Sequence, residues 1–245
     1  MTKYEFVPED TVKSSDEVKL TRIRALVNLP LHNVKIGDLG GYLESDKNLS
    51  HEGGCWVGDD AKVSENAFVY GYAKVCGNAT VCSDAEVYDD ARVYGNAQVY
   101  GNALVYGNAR VYGDAKVYGY AQVYDDAWVY DTALVYDDAV VSGKARVFGD
   151  AQVYDDAWVY GNAKVYGNAE VTGTAVVFGN AGVYGNAKVY DDAKVSENAF
   201  VYGDAWVYGN AKVSGNAKVS GNAKVSGNAK VSGNTKVEGT EKISK

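Results

Sequence analysis

The sequence predicts an all-β protein built as a parallel β-helix of short triangular coils. Three observations carry this. Every sixth residue from Val57 to Val237 is valine, without an exception. Two residues before each, from Ala61 to Ala229, stands an alanine, again unbroken. Between each valine and the next alanine lie turn formers, most often Gly-Asn, Gly-Asp or Asp-Asp. A short fixed period marks a repeat architecture, and a six-residue period points to a β-helix.

The hexad explains itself residue by residue. Alanine and valine sit two apart, so on an extended strand both point to one face. Valine is β-branched and fills a pleated, buried surface. Alanine fits where the wall bends and leaves little room. Gly, Asn and Asp tolerate the left-handed backbone region that a sharp corner demands. Three hexads close one coil of 18 residues, which predicts about ten coils stacked ~4.8 Å apart.

Residues 1–56 lack this period and read as an N-terminal cap with an irregular first coil, leaving 57–245 as the repeat domain. Lys19 to Val27 reads as a strand, Pro30 and Asn33 mark a turn, and Ile36 to Tyr42 form an imperfect hexad. At the other end, outward lysines stack in register, Lys212 over Lys230 and Lys218 over Lys236, a device that discourages strand-to-strand aggregation.

The fixed Val and Ala spacing resembles the hexapeptide-repeat proteins, whose pattern is [LIV]-x-x-x-[small]-x. That resemblance covers about three quarters of the chain. It implies left-handed coiling, against the usual chirality of parallel crossovers. The stretches Ile23 to Pro30, Val34 to Ser45 and Asn48 to Val57 are similar to the leader of one bacterial and phage subgroup, labelled putative acyltransferase or polymer-forming protein. Acyltransferases of the wider family use a histidine general base, with coenzyme A lying beside a looped-out segment. This chain has only His32 and His51, both ahead of the regular coils. No hexad is broken between Val57 and Val237, so no loop is extruded to build such a pocket. No nucleophile–base pair or His/Cys metal spacing stands out, and no cofactor is expected. His51 reads as a cap residue.

The net charge is −8, which disfavours nucleic acid as a partner. Acidic residues outnumber basic ones between Asp114 and Asp204, and the balance reverses after Ala205. No apolar run reaches ~18 residues, so no membrane helix is expected, and the N-terminus lacks the apolar core of a signal peptide. The three cysteines, Cys55, Cys76 and Cys82, form no disulfide framework, which points to a reducing cytoplasm.

Function is to be sought in the outward residues. Positions 18 apart share a face. One face is basic and aromatic, with Arg92, Arg110, Tyr112, Trp128, Tyr130 and Arg146, a candidate ligand surface for a glycan, a polyanion or an acidic partner. A second is mixed and suggests no site. The third carries Tyr106, Tyr124, Val140, Trp158, Tyr160, Val176 and Phe178, with no basic residue until Lys194. Such an apolar strip suits self-association or a protein partner. At one corner Asp137 and Asp138 stack on Asp155 and Asp156. Four carboxylates together suggest a weak Ca²⁺ site. The favoured reading is a non-catalytic scaffold that forms a homo-oligomer or binds a protein partner. The alternatives are an acyltransferase-like enzyme and a glycan- or polymer-binding rod.

Overall fold

The computed structural model describes residues 2–14 and 17–245, and it is all β apart from two single-turn 3₁₀ segments, Pro30–His32 and Asp46–Asn48. Its contacts divide into two compact units, Met1–Tyr120 and Ala121–Lys245, a boundary that falls inside the repeat. Each unit is a parallel β-solenoid.

The first unit opens with a meander. Strand β1 (Tyr4–Lys13) pairs antiparallel with β2 (Lys19–Ala25), which pairs antiparallel with β3 (Leu39–Leu43). The cap merges with the solenoid at β3, where Tyr42 and Leu43 pair in parallel with Lys62 and Val63. The imperfect hexad is thus a working solenoid strand displaced by a few residues. Three ladders follow, each stepping by 18 residues. They run from Trp56 through Lys74 and Arg92 to Arg110, from Lys62 through Thr80 and Gln98 to Lys116, and from Phe68 through Glu86 to Leu104.

The second unit continues the same grammar. One ladder runs Gln122, Val140, Trp158, Val176, Lys194, Lys212 and Lys230. Another runs Trp128, Arg146, Lys164, Gly182, Phe200, Lys218 and Lys236. The third runs Leu134, Gln152, Glu170, Lys188, Trp206, Lys224 and Lys242. Hydrogen bonds join each coil to the next, as from Trp158 N–H to Ala175 O at 2.9 Å. Each strand is only a few residues long, so its partners are the coils on either side.

The inward columns behave as their chemistry requires. Val153, Val159 and Val165, with Ala151, Ala157 and Ala163 beside them, are fully buried. Burying a valine stabilises by ~1.5–3 kcal/mol before entropy is charged against it. Corners take a positive φ at their first residue. Gly143 has φ 66°, and a Cβ there would lie 2.8 Å from the Gly161 nitrogen. At several corners where aspartate occupies that position, its carboxylate accepts from the amide of the coil beyond. Asp125 Oδ2 accepts from Gly143 N–H at 3.1 Å and Asp191 Oδ2 from Gly209 N–H at 3.0 Å. Beside them run amide ladders, with Asn162 donating to Asn180 at 3.1 Å and Asn180 to Asn198 at 3.0 Å.

Candidate functional site

The outward tyrosines form stacked ladders. In the first unit Tyr70 stacks on Tyr88 and Tyr88 on Tyr106, with centroids 4.8 and 4.9 Å apart. In the second, Phe148, Tyr166, Tyr184 and Tyr202 stack in turn at 4.8 to 5.0 Å. The coil pitch sets this spacing, so the ring faces within a ladder are covered by the rings above and below. Burial pushes the Tyr166, Tyr184 and Tyr190 phenols above their ordinary range.

The basic and aromatic face is found in both units. In the first, Arg92 pairs in register with Lys74 and Arg110, and Tyr94 stacks on Tyr112 at 4.8 Å. In the second, the Arg146 guanidinium lies over the Trp128 ring at 4.7 Å, as a cation–π contact requires. Tyr130 meets Trp128 edge-on at 6.5 Å and stacks on Phe148 at 4.8 Å. Sugar stacking needs a free ring face, and these contacts already occupy the faces of Phe148 and cover one side of Trp128.

The apolar face lies mainly in the second unit. Trp158 is 48% exposed and stands between Val140 and Val176 in register. Beside it Tyr160 stacks on Phe178 at 5.1 Å. Tyr124 belongs to the same face, its amide donating to Val141 O at 3.0 Å. Val140 corrects the sequence expectation. It is 8% exposed, a buried side chain rather than part of an open strip. Its neighbours in the ladder are Gln122 and the large Trp158, so a short β-branched chain lies below the surface they define. Tyr106 lies in the first unit, stacked on Tyr88.

At the proposed cation corner the side chains make other contacts. Asp137 and Asp155 both adopt φ 55°. Asp155 Oδ2 accepts from Gly173 N–H at 3.1 Å and from the Thr172 hydroxyl. Among the described residues no group of three or more His, Cys, Asp or Glu side chains is placed to hold a metal ion, and this includes Asp138 and Asp156. Of these four carboxylates, that of Asp155 is drawn to a backbone amide instead.

The cap holds a cluster that local pattern does not reveal. Lys3 is 2% exposed, and its Nζ donates to Cys55 Sγ at 2.9 Å. The Lys3 amide donates to His51 Nδ1 at 3.1 Å, leaving Nε2 to meet Asp46 Oδ1 at 3.0 Å. The His51 ring stacks on Tyr4 at 4.5 Å. Burial, then the hydrogen bond to Asp46, push the Tyr4 phenol far up. Both His51 nitrogens are engaged within the cap, one by the Lys3 amide and the other by Asp46, so the histidine serves the cap. His32 is buried, and burial and the nearby Lys74 charge hold its imidazole below the usual range. Among the described residues Cys55, Cys76 and Cys82 form no disulfide. No helix among the described residues is long and apolar enough to cross a membrane.

The fold and its repeat place the chain in the class of parallel β-solenoid repeat proteins. More particularly, the family model for the YdcK beta solenoid repeat matches residues 97–113, 105–119 and 109–125 in overlapping copies. No curated protein matches the chain.

Proposed function

We propose that this chain is a non-catalytic scaffold that associates with other copies of itself through the Trp158 face. The observation that supports this most is Trp158, a half-exposed indole flanked by Val176 and by the Tyr160–Phe178 stack. Large aromatic residues at the centre of an apolar patch are the usual anchors of protein interfaces. The solenoid suits the role because its unbroken register holds the patch rigid. A polymer-forming member of the hexapeptide-repeat group, with left-handed coils, would present this face in every copy.

Light scattering coupled to size exclusion, over a hundredfold concentration range, tests the reading. A defined oligomer or filament that Trp158→Ser disperses is the expected result. A monomer at every concentration overturns it.

A further inference from the structure

The self-association reading leaves open how two copies would meet, and the charges around Trp158 narrow the answer. Six successive coils of the second unit present this face. The first three carry Val140, Trp158 and Val176, with the exposed Asp138 and Asp156 at the adjoining corner. The last three carry Lys194, Lys212 and Lys230, all exposed and paired in register. Their adjoining corner changes from Asp192, which accepts from the Thr174 hydroxyl at 2.6 Å, to Asn210 and Asn228. A groove of about 680 Å³ runs along this lysine column between the ammonium groups and the asparagines. Among the described residues none of Asp138, Asp156, Lys194, Lys212 and Lys230 makes an ion pair within its own chain. One end of the face is therefore acidic and aromatic, and the other is basic.

Resting on the self-association reading, we propose that this face binds a second copy of itself, antiparallel, about a two-fold axis parallel to the strands. That operation lays the first coil of six on the sixth, the second on the fifth and the third on the fourth. Asp138 then lies opposite Asn228 of the other copy and two residues along the strand from Lys230, and Asp156 lies likewise beside Lys212, within the span of a lysine side chain, each pair formed twice as an isologous interface requires. Trp158 comes to lie against the same Lys212 ammonium, a cation–π contact of the kind Lys224 already makes with Trp206 at 3.9 Å within the chain. A parallel arrangement would set lysine on lysine, which repels, and keep Asp138 and Asp156 in other coils away from them. Both copies share one coil pitch, so charges stacked on one stay in step with charges stacked on the other. A long polyanion fits less well. It would gain three lysines and then run onto Asp138 and Asp156.

Charge reversal tests the pairing. Asp156→Lys and Lys212→Asp lie at exposed positions outside the valine and alanine columns, and each places like charges opposite one another twice per dimer. Each full-length variant alone is expected to raise the dimer Kd about tenfold or more in sedimentation equilibrium at low salt. An equimolar mixture of the two is expected to recover association as a heterodimer, because each supplies the charge that the other repels in itself. Rising salt is expected to weaken the wild-type complex. If the wild type stays monomeric, both the self-association reading and this pairing fall. If it associates and Trp158→Ser breaks it, but the reversals are silent or the mixture does not recover, the antiparallel pairing alone is overturned.

Discussion

At the scale of single residues the corners separate two kinds of aspartate. Asp125 sits at φ 57°, and its carboxylate accepts the Gly143 amide of the next coil. Its neighbour Asp126 is exposed, and its own amide donates to Gly143 O at 2.8 Å, so the backbone rather than the side chain makes the contact between coils. The two residues are adjacent in sequence and alike in chemistry, yet only the first carries structure with its side chain. Asp125→Ala removes the acceptor and leaves a Cβ residue in the left-handed region without a polar group to support it. Hydrogen bonds to charged groups contribute about 1.5–3 kcal/mol. Asp125→Ala is therefore expected to lose about 1–3 kcal/mol, Asp125→Asn less, and Asp126→Ala no more than about 0.5 kcal/mol, as for ordinary surface changes. Urea denaturation followed by circular dichroism measures all three. Equal losses at the two positions would show that the amide contact is not what holds the corner.

At the scale of the element, the unit that matters is the column, not the strand. A two-residue strand has no stability of its own. What it has is one neighbour above, one below, and side chains that meet theirs at the coil pitch. Tyr184 stacks on Tyr166 at 4.8 Å and on Tyr202 at 5.0 Å, whereas the next residue in the column after Tyr202 is Ser220. Each aromatic pair contributes about 0.5–1.5 kcal/mol beyond its buried area. Tyr184→Ser should thus cost about twice what Tyr202→Ser costs, read as shifts of the urea midpoint. Gly182 shows the same logic in reverse. The Phe200 ring lies so close above it that a Cβ would approach Cδ1 to 2.7 Å, and the ring also meets Tyr184 edge-on at 6.4 Å. A hexad position usually filled by a long side chain is empty because its neighbour in the ladder fills the space.

At the scale of the whole molecule, legibility followed the range of the interactions. Val57 to Val237 could be read directly, because each inward position repeats a local rule, and stepping by 18 residues assigned every outward ladder correctly. The cap resisted because its contacts are long-range and unrepeated. Nothing near Lys3 announces that it reaches Cys55, 52 positions away, and β1 carries no period that would mark it. At the Asp137–Asp156 corner the sequence shows that carboxylates stack, but not that Asp155 turns to the Gly173 amide. The Trp158 face was legible as apolar, while the depth of Val140 depended on the bulk of its neighbour. The tyrosine ladders also give the chain a shared response to pH. Burial raises the phenols of Tyr94, Tyr100, Tyr130, Tyr166, Tyr184 and Tyr190 above the value of about 10 that they take in the unfolded chain. The unfolded chain then loses these protons first as pH rises, so alkali favours unfolding. Their contribution to stability is complete below pH about 10 and is lost as the pH climbs through the raised values in the folded state. The urea midpoint is expected to be unaffected by these groups up to that pH and to fall beyond it, with phenolate absorbance appearing together with loss of the β signal. Phenolate absorbance with an ordinary midpoint in a chain that keeps its circular dichroism would show that the stacked rings leave their hydroxyls fully solvated.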